Sequence, residues 1–245
     1  MKNILTFSFL FAGILLNAQM GGSEFDVLDL QNMNSNLLDT DSGVINVNDI
    51  EGSPYLNIEF RKGRITEKEN GQVIEAYLRY NIFEDKFEIK PSLNDDKVFA
   101  LKRSSNYEYI YDNSEVQLIA NNKLFNKSGN GFVFVLLRHE NNLYNLYKKY
   151  DQKFTAAEKG KTPYDADKPA SLKTNLSYYI SKDISKGFIE LEVNRRKILD
   201  AFEPNLKSEM KDYMKSNKYK LRGNDTEVEN ELINIISHYN TLLNN

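Results

Sequence analysis

Residues 54–157 alternate between apolar and polar side chains with the period of two that is typical of β-strands. The alternation is clear where Leu78, Tyr80 and Ile82 are separated by Arg79 and Asn81. Polar connections of about two to five residues favour antiparallel hairpins, because parallel strands need longer crossovers. We therefore predict a sheet domain over 51–157, built as an antiparallel β-meander of about seven or eight strands.

Beyond residue 193 the apolar positions recur at helical spacing. The clearest series steps by three and four residues: Val228, Leu232, Ile235, Tyr239 and Leu242. Thr226 and Glu229 fit a capping box at the start of this helix. Together with two shorter periodic segments before it, the series predicts about three C-terminal helices and an α+β fold.

The two regions are joined by residues 158–176, which contain one glycine, two prolines and few apolar side chains. This composition predicts a linker. Two short apolar runs then flank Lys186 and Gly187, as in a second, small hairpin. Residues 177–245 are thus expected to form that hairpin followed by the helical segment.

The N-terminus follows neither pattern. Lys2 precedes a nearly continuous apolar run from Ile4 to Leu16, and the small residue Ala18 follows. This arrangement predicts a signal peptide over 1–18, and the run is shorter than the roughly 20 residues of a membrane span. We expect an exported protein, periplasmic or secreted, with no transmembrane span after signal removal.

The segment that follows the predicted signal peptide differs from the rest of the chain in its charge. From Gln19 to Phe60 every charged residue is acidic, and apolar residues are sparse. High charge with low hydrophobicity disfavours a packed fold, so residues 19–50 are predicted to be an acidic, mostly disordered tail.

Composition excludes several kinds of chemistry. The 245 residues include no cysteine and two histidines, which excludes disulfides and disfavours an ordinary zinc site. His139 and Glu140 begin a zinc-protease pattern, but Leu143 stands where the second histidine is needed. A net charge of −3 argues against a nucleic-acid partner. We predict no catalytic, cofactor or metal residues.

Two features are candidate binding faces. Tyr107, Tyr109 and Tyr111 share one face of a predicted strand, where they form either a binding platform or the core of the sheet. Residues 193–222 contain nine basic and four acidic residues.

The second candidate face is a stripe of three lysines in this basic region. Lys207, Lys211 and Lys215 lie four residues apart, which places them on one side of a helix. This stripe is either a docking face for an anionic partner, a solvated surface, or a partner for the acidic tail.

The chain resembles an uncharacterised group of exported Gram-negative bacterial proteins in four short segments: Gly52-Ser53-Pro54-Tyr55-Leu56, Phe60, Lys62-Gly63 and Leu78-Arg79-Tyr80-Asn81. That group has a signal peptide ending in Ala-Gln, a β-rich body and a C-terminal helical segment ending near Tyr-Asn, here Tyr239-Asn240. The resemblance covers residues 52–243. It implies export and this fold class, and it implies no activity and no functional residue.

These observations favour a non-catalytic interaction or binding module of the bacterial cell envelope. Its expected partner is an envelope protein or an anionic surface. One alternative is a periplasmic carrier that holds an apolar ligand in a curved sheet. A weaker alternative is a hydrolase that uses carboxylates, since paired carboxylates are defined by their positions in space.

Overall fold

A computed structural model describes residues 38–39, 50–119, 131–139, 143–160, 162 and 164–244. The predicted signal peptide and most of the predicted acidic tail lie outside the described residues. The described parts of that tail, Leu38–Asp39 and Ile50, belong to short strands.

Within the described residues, twelve strands form one sheet. They are β1 (Leu38–Asp39), β2 (Ile50–Glu51), β3 (Arg61–Glu67), β4 (Val73–Asn81), β5 (Lys86–Lys90), β6 (Phe99–Leu101), β7 (Tyr107–Tyr111), β8 (Ser114–Ile119), β9 (Gly131–Leu137), β10 (Asn145–Thr155), β11 (Ala170–Ser181) and β12 (Ile189–Leu191). A 3-10 helix (Lys197–Ala201) and two α-helices, α1 (Lys207–Ser216) and α2 (Asp225–Leu243), follow. The α+β class is therefore confirmed.

The strand order corrects the predicted simple meander. It runs β1-β6-β5-β4-β3-β7-β8-β9-β10-β11-β12, and β2 pairs with β11. Two meanders are thus joined where β3 pairs with β7, although three strands separate them in sequence. Alternation of apolar residues identifies the face that each strand buries, but it does not identify the neighbouring strand.

The sheet curls around an aromatic core. The ring of Tyr80 on β4 lies 6.2 Å from that of Phe132 and 5.5 Å from that of Phe134, both on β9. Phe87 lies 5.0 Å from Phe132 and stacks on Tyr109. Since β3, β7 and β8 lie between β4 and β9 in the sheet, these contacts require strong curvature.

The predicted linker over 158–176 is wrong from residue 170 onward, because β11 begins there and pairs antiparallel with β10 along eleven residue pairs. β9 pairs only with the first residues of β10, from Leu146 to Lys148, so the rest of β10 and β11 continues as a two-stranded ribbon until β2 joins β11 at Ala170 and Ser171. Both faces of the ribbon carry exposed side chains, as at the successive residues Lys173 and Thr174, so the sequence lacks strand alternation there. The predicted hairpin of β11 and β12 is confirmed, within the same sheet.

The three predicted helices are corrected to one 3-10 helix and two α-helices. The 3-10 helix ends before Pro204, which cannot donate a main-chain hydrogen bond and disfavours helix at Glu203. Helix α2 buries Leu232, Ile235 and Tyr239 against the second half of the sheet. None of the helices in the described residues is long and apolar enough to cross a membrane.

Candidate functional site

The outer face of β3, β7 and β8 carries charged side chains because each strand alternates strictly. Ile65, Tyr109 and Val116 point into the core and are fully buried. Their neighbours Arg64 and Glu108 are exposed on the opposite face. The pairing of β3 with β7 therefore collects polar residues that are distant in sequence.

Close packing of β3 against its neighbours depends on Gly63. A Cβ atom at this position would lie 2.4 Å from Leu78 Cδ1 and 2.9 Å from the Ile110 carbonyl oxygen. Any larger residue would push β3 away from β4 and β7, so this glycine fixes the position of the adjacent Arg64.

These strands form a groove on the outer face, with a volume of about 420 Å³. This size falls within the range of small-molecule sites. The groove is lined by Arg64, Thr66, Glu108, Ile110, Glu115, Gln117 and Arg138.

One wall of the groove is an ion pair between Arg138 and Glu115. Arg138 Nε donates to Glu115 Oε2 at 3.1 Å, and Nη2 donates to the other carboxylate oxygen. This two-point pairing is the strong geometry for a guanidinium and a carboxylate. The hydrogen bond to Glu115 raises the pKa of Arg138, so the guanidinium keeps its positive charge.

Arg64 and Glu108 form the opposite side of the groove. Neither side chain has a hydrogen bond or ion pair within the described part of the chain. Arg64 lies directly across from Ile110 and Thr66 lies directly across from Glu108. Arg64 and Glu108 are therefore diagonal neighbours, with one positive and one negative group open to the groove.

Gln117 lies on the floor of the groove, in register with Val133. Its Nε2 donates to Glu115 Oε1 at 3.4 Å. Its Oε1 is buried and has no partner among the described residues. Buried amide oxygens normally accept a hydrogen bond, so the site lacks a donor at this point.

Two residues next to the groove extend its polar environment. Tyr147 lies within electrostatic range of Arg138 and Glu115, and burial raises the pKa of its phenol. The main-chain N–H of His139 donates to Asn145 Oδ1 at 2.6 Å, and His139 Nε2 is buried without a partner in the described residues. The other histidine, His238, stacks on Tyr213 at 3.7 Å between the α-helices.

The predicted tyrosine face belongs to the core. Tyr107, Tyr109 and Tyr111 are at most 6 % exposed. Tyr111 packs against Phe134 and accepts a hydrogen bond from Asn57. The platform interpretation is therefore wrong, because these aromatic faces are covered by the curled sheet.

The predicted lysine stripe lies on α1. Lys211 and Lys215 are exposed, whereas Lys207 pairs with Asp200 at 3.3 Å. The stripe thus contains two fully available positive charges and one that is shared with an acid.

The residues of the groove were not predicted from sequence. A signal does exist, since Arg64, Glu108 and Glu115 occupy outward positions of their strands. Adjacency of β3 and β7 is needed to bring these positions together, and a simple meander does not provide it.

The comparisons with known proteins give no identity for this arrangement. No family model, no curated protein and no solved structure matches the chain. Within the described residues there is also no group of three or more acidic, histidine or cysteine side chains placed to hold a metal ion.

Proposed function

We propose that this protein is an exported, non-catalytic interaction module of the bacterial cell envelope, and that the groove is its binding surface. The observation that carries the proposal is the open pair of charges, Arg64 and Glu108, on adjacent strands. Strands of a packed sheet hold such groups in fixed positions, so binding loses little conformational entropy.

The Arg138–Glu115 ion pair supports binding over acid–base chemistry. Both carboxylate oxygens of Glu115 accept hydrogen bonds from Arg138, so this carboxylate is already engaged within the protein. A carboxylate hydrolase using Glu108 and Glu115 therefore has less support than a binding module.

The carrier alternative has little support in the described part of the chain. The inner face of the curl is filled by rings in mutual contact, including Tyr80, Phe87 and Phe132. An apolar ligand would need a space that these side chains occupy.

The basic face of α1 is the competing surface within the same function. Lys211 and Lys215 would attract an anionic partner or surface, and this attraction would weaken with salt. The groove differs because it presents both signs of charge.

A cross-linking experiment in cells distinguishes the two surfaces. A tagged chain is produced in a Gram-negative host, cross-linked, fractionated and analysed by mass spectrometry. Arg64→Glu alters the groove, and Lys211→Glu makes the same change of charge on α1. We expect an envelope partner to be captured by the wild type and by Lys211→Glu, and to be lost with Arg64→Glu.

Two results would contradict this proposal. Recovery of the tagged chain only in the cytoplasm would reject export. Capture that survives Arg64→Glu but disappears with Lys211→Glu, or with the combined change of Lys207, Lys211 and Lys215 to Glu, would move the binding surface to α1.

A further inference from the structure

We infer that the groove binds a short peptide with free termini, whose carboxylate meets Arg64 and whose ammonium group meets Glu108. This inference rests on the proposed function, because it names the class of ligand for the same groove. It follows from three properties of the groove: the balance of positive and negative side chains, the relative position of Arg64 and Glu108, and an amide oxygen of Gln117 that lacks a hydrogen-bond donor.

The charge balance of the groove favours a ligand without net charge. Arg64 and Arg138 are offset by Glu108 and Glu115. Arg138 and Glu115 satisfy each other, Glu108 lies within electrostatic range of Arg138, and Glu75 lies directly across from Arg64 on β4, outside the lining of the groove. Arg64 and Glu108 have no hydrogen bond or ion pair in the described part of the chain, so they remain as one positive and one negative group for the ligand. A purely anionic ligand would be repelled by Glu108, and a purely cationic ligand would be repelled by Arg64.

The relative position of the open charges allows both to reach one dipeptide. Arg64 and Glu108 are diagonal neighbours on an antiparallel pair, where Cβ atoms are somewhat less than about 7–8 Å apart. An extended chain spans about 3.3–3.6 Å per residue, so two flexible side chains that start this close together can each reach one terminus of a dipeptide. The volume of about 420 Å³ accommodates a ligand of this size.

The other residues that line the groove can contact the part of the peptide between its two termini. Thr66 offers a hydroxyl next to Glu108, and Ile110 offers an apolar surface next to Arg64. Gln117 Oε1 is buried and lacks a donor among the described residues, so a turn of this amide toward the groove would let it accept from the amide N–H of the peptide. Each polar group of the ligand thus has a counterpart in the groove.

Calorimetric titration of the purified chain with Ala-Ala tests the inference directly. The same titration is repeated with N-acetyl-Ala-Ala, which lacks the ammonium group, and with Ala-Ala-amide, which lacks the carboxylate. We expect binding of the free dipeptide, and each cap should weaken it about tenfold to a hundredfold, as for loss of one charge-assisted hydrogen bond. This comparison uses the wild-type chain, so it does not depend on how a variant folds.

Variants then assign each terminus to its residue. With Arg64→Gln, free and amidated dipeptides should bind equally, and with Glu108→Gln, free and acetylated dipeptides should bind equally. Lys211→Gln on α1 is the matched control and should leave all three affinities unchanged. Circular dichroism of each variant confirms that the fold is retained.

The inference is overturned if Ala-Ala does not bind, or if neither cap weakens its binding. If that happens while Arg64→Glu still abolishes capture of the envelope partner, the peptide inference fails and the proposed function stands. If Arg64→Glu leaves partner capture unchanged as well, both fail.

Discussion

A single lysine with almost no exposure joins three parts of the molecule. Lys149 Nζ lies 3.4 Å from Asp85 Oδ2 and 3.4 Å from the carbonyl oxygen of Phe132. Asp85 also accepts hydrogen bonds from the Tyr80 hydroxyl at 2.5 Å and from the Phe132 N–H at 3.2 Å. These contacts tie the turn between β4 and β5 to β9 and β10, and thereby fix the curl of the sheet.

The backbone at Asp85 adopts an unfavourable conformation to make these contacts. Its φ of 52° lies in the left-handed region, which costs free energy for a residue with a side chain. The four polar contacts of the cluster hold the turn in that conformation. Polar residues of a turn thus support the shape of the whole sheet.

We predict that Lys149→Met lowers the free energy of unfolding by about 2 kcal/mol, because Asp85 loses a buried partner but keeps two other donors. Urea unfolding measures the change. Lys153→Met, at an exposed position of the same strand, is the control and should change stability by less than about 0.5 kcal/mol. Equal stability of the Lys149 variant and the wild type would show that the cluster does not support the fold.

Helix α2 begins two residues before the predicted capping box. The Asn224 side chain accepts from the Glu227 N–H at 2.9 Å, and the Glu227 side chain accepts from the Asn224 N–H at 3.2 Å. Thr226 and Glu229 are also three residues apart, so the sequence pattern is compatible with two overlapping capping boxes. Gly223 decides between them, because its φ of 132° lets the chain turn immediately before Asn224.

Asn224→Ala should therefore destabilise the protein by about 1 kcal/mol, the usual effect of removing an N-cap. Thermal unfolding followed by circular dichroism is the measurement. Asn230→Ala, at an exposed position inside the same helix, replaces asparagine with a better helix former and should not destabilise. If Thr226→Ala were the more damaging change, the cap would lie where the sequence pattern placed it.

The positions of single strands and turns were largely predictable from the sequence, but the neighbours with which the strands pair were not. A tight turn with left-handed backbone at Asp112 and Asn113 joins β7 to β8, where turn-forming residues separate two alternating segments. The first part of β11 was assigned to a linker because most of its side chains are exposed, and the alternation of apolar residues reports burial only. The alternation of apolar and polar residues therefore identifies a strand only where one face of that strand packs against a core.

The protein buries many tyrosine side chains, and the ionisation of their phenols lowers the free energy of unfolding at alkaline pH. Burial raises the pKa of Tyr80 and Tyr109 well above the ordinary value, and raises that of Tyr239 to about 12. Above a pH of about 10 the unfolded chain releases phenolic protons that the folded chain retains. Stability is therefore complete below that pH and decreases as pH rises further.

We predict that the buried phenols ionise in one steep transition above pH 10, in which tyrosinate absorbance rises as the circular dichroism of the fold is lost. The two signals should change together, because the buried phenols ionise only when the core opens, whereas exposed tyrosines such as Tyr164 contribute to the absorbance without loss of the fold. Tyrosinate absorbance that reaches its full value while the circular dichroism is unchanged would show that the buried phenols are accessible in the folded protein.

The proposed binding surface depends on the arrangement of the whole sheet. The sequence indicates that Arg64 and Glu115 face away from the core, but β3 and β8 come together only through β7. The sequence left two alternatives for the tyrosine face, a binding platform and the core of the sheet, and the core alternative holds because curvature covers this face with β4, β5 and β9. Long-range pairing and curvature are properties that a local pattern does not contain.

Site-specific photo-cross-linking in cells tests the central claim, that the groove is the binding surface of an exported module. A photoreactive residue replaces Thr66 in the groove in one chain and Lys211 on α1 in another, and adducts are identified by mass spectrometry after fractionation. We expect an adduct with one dominant envelope partner from position 66 and none from position 211. An adduct that forms only from position 211 would show that the partner binds α1 and not the groove.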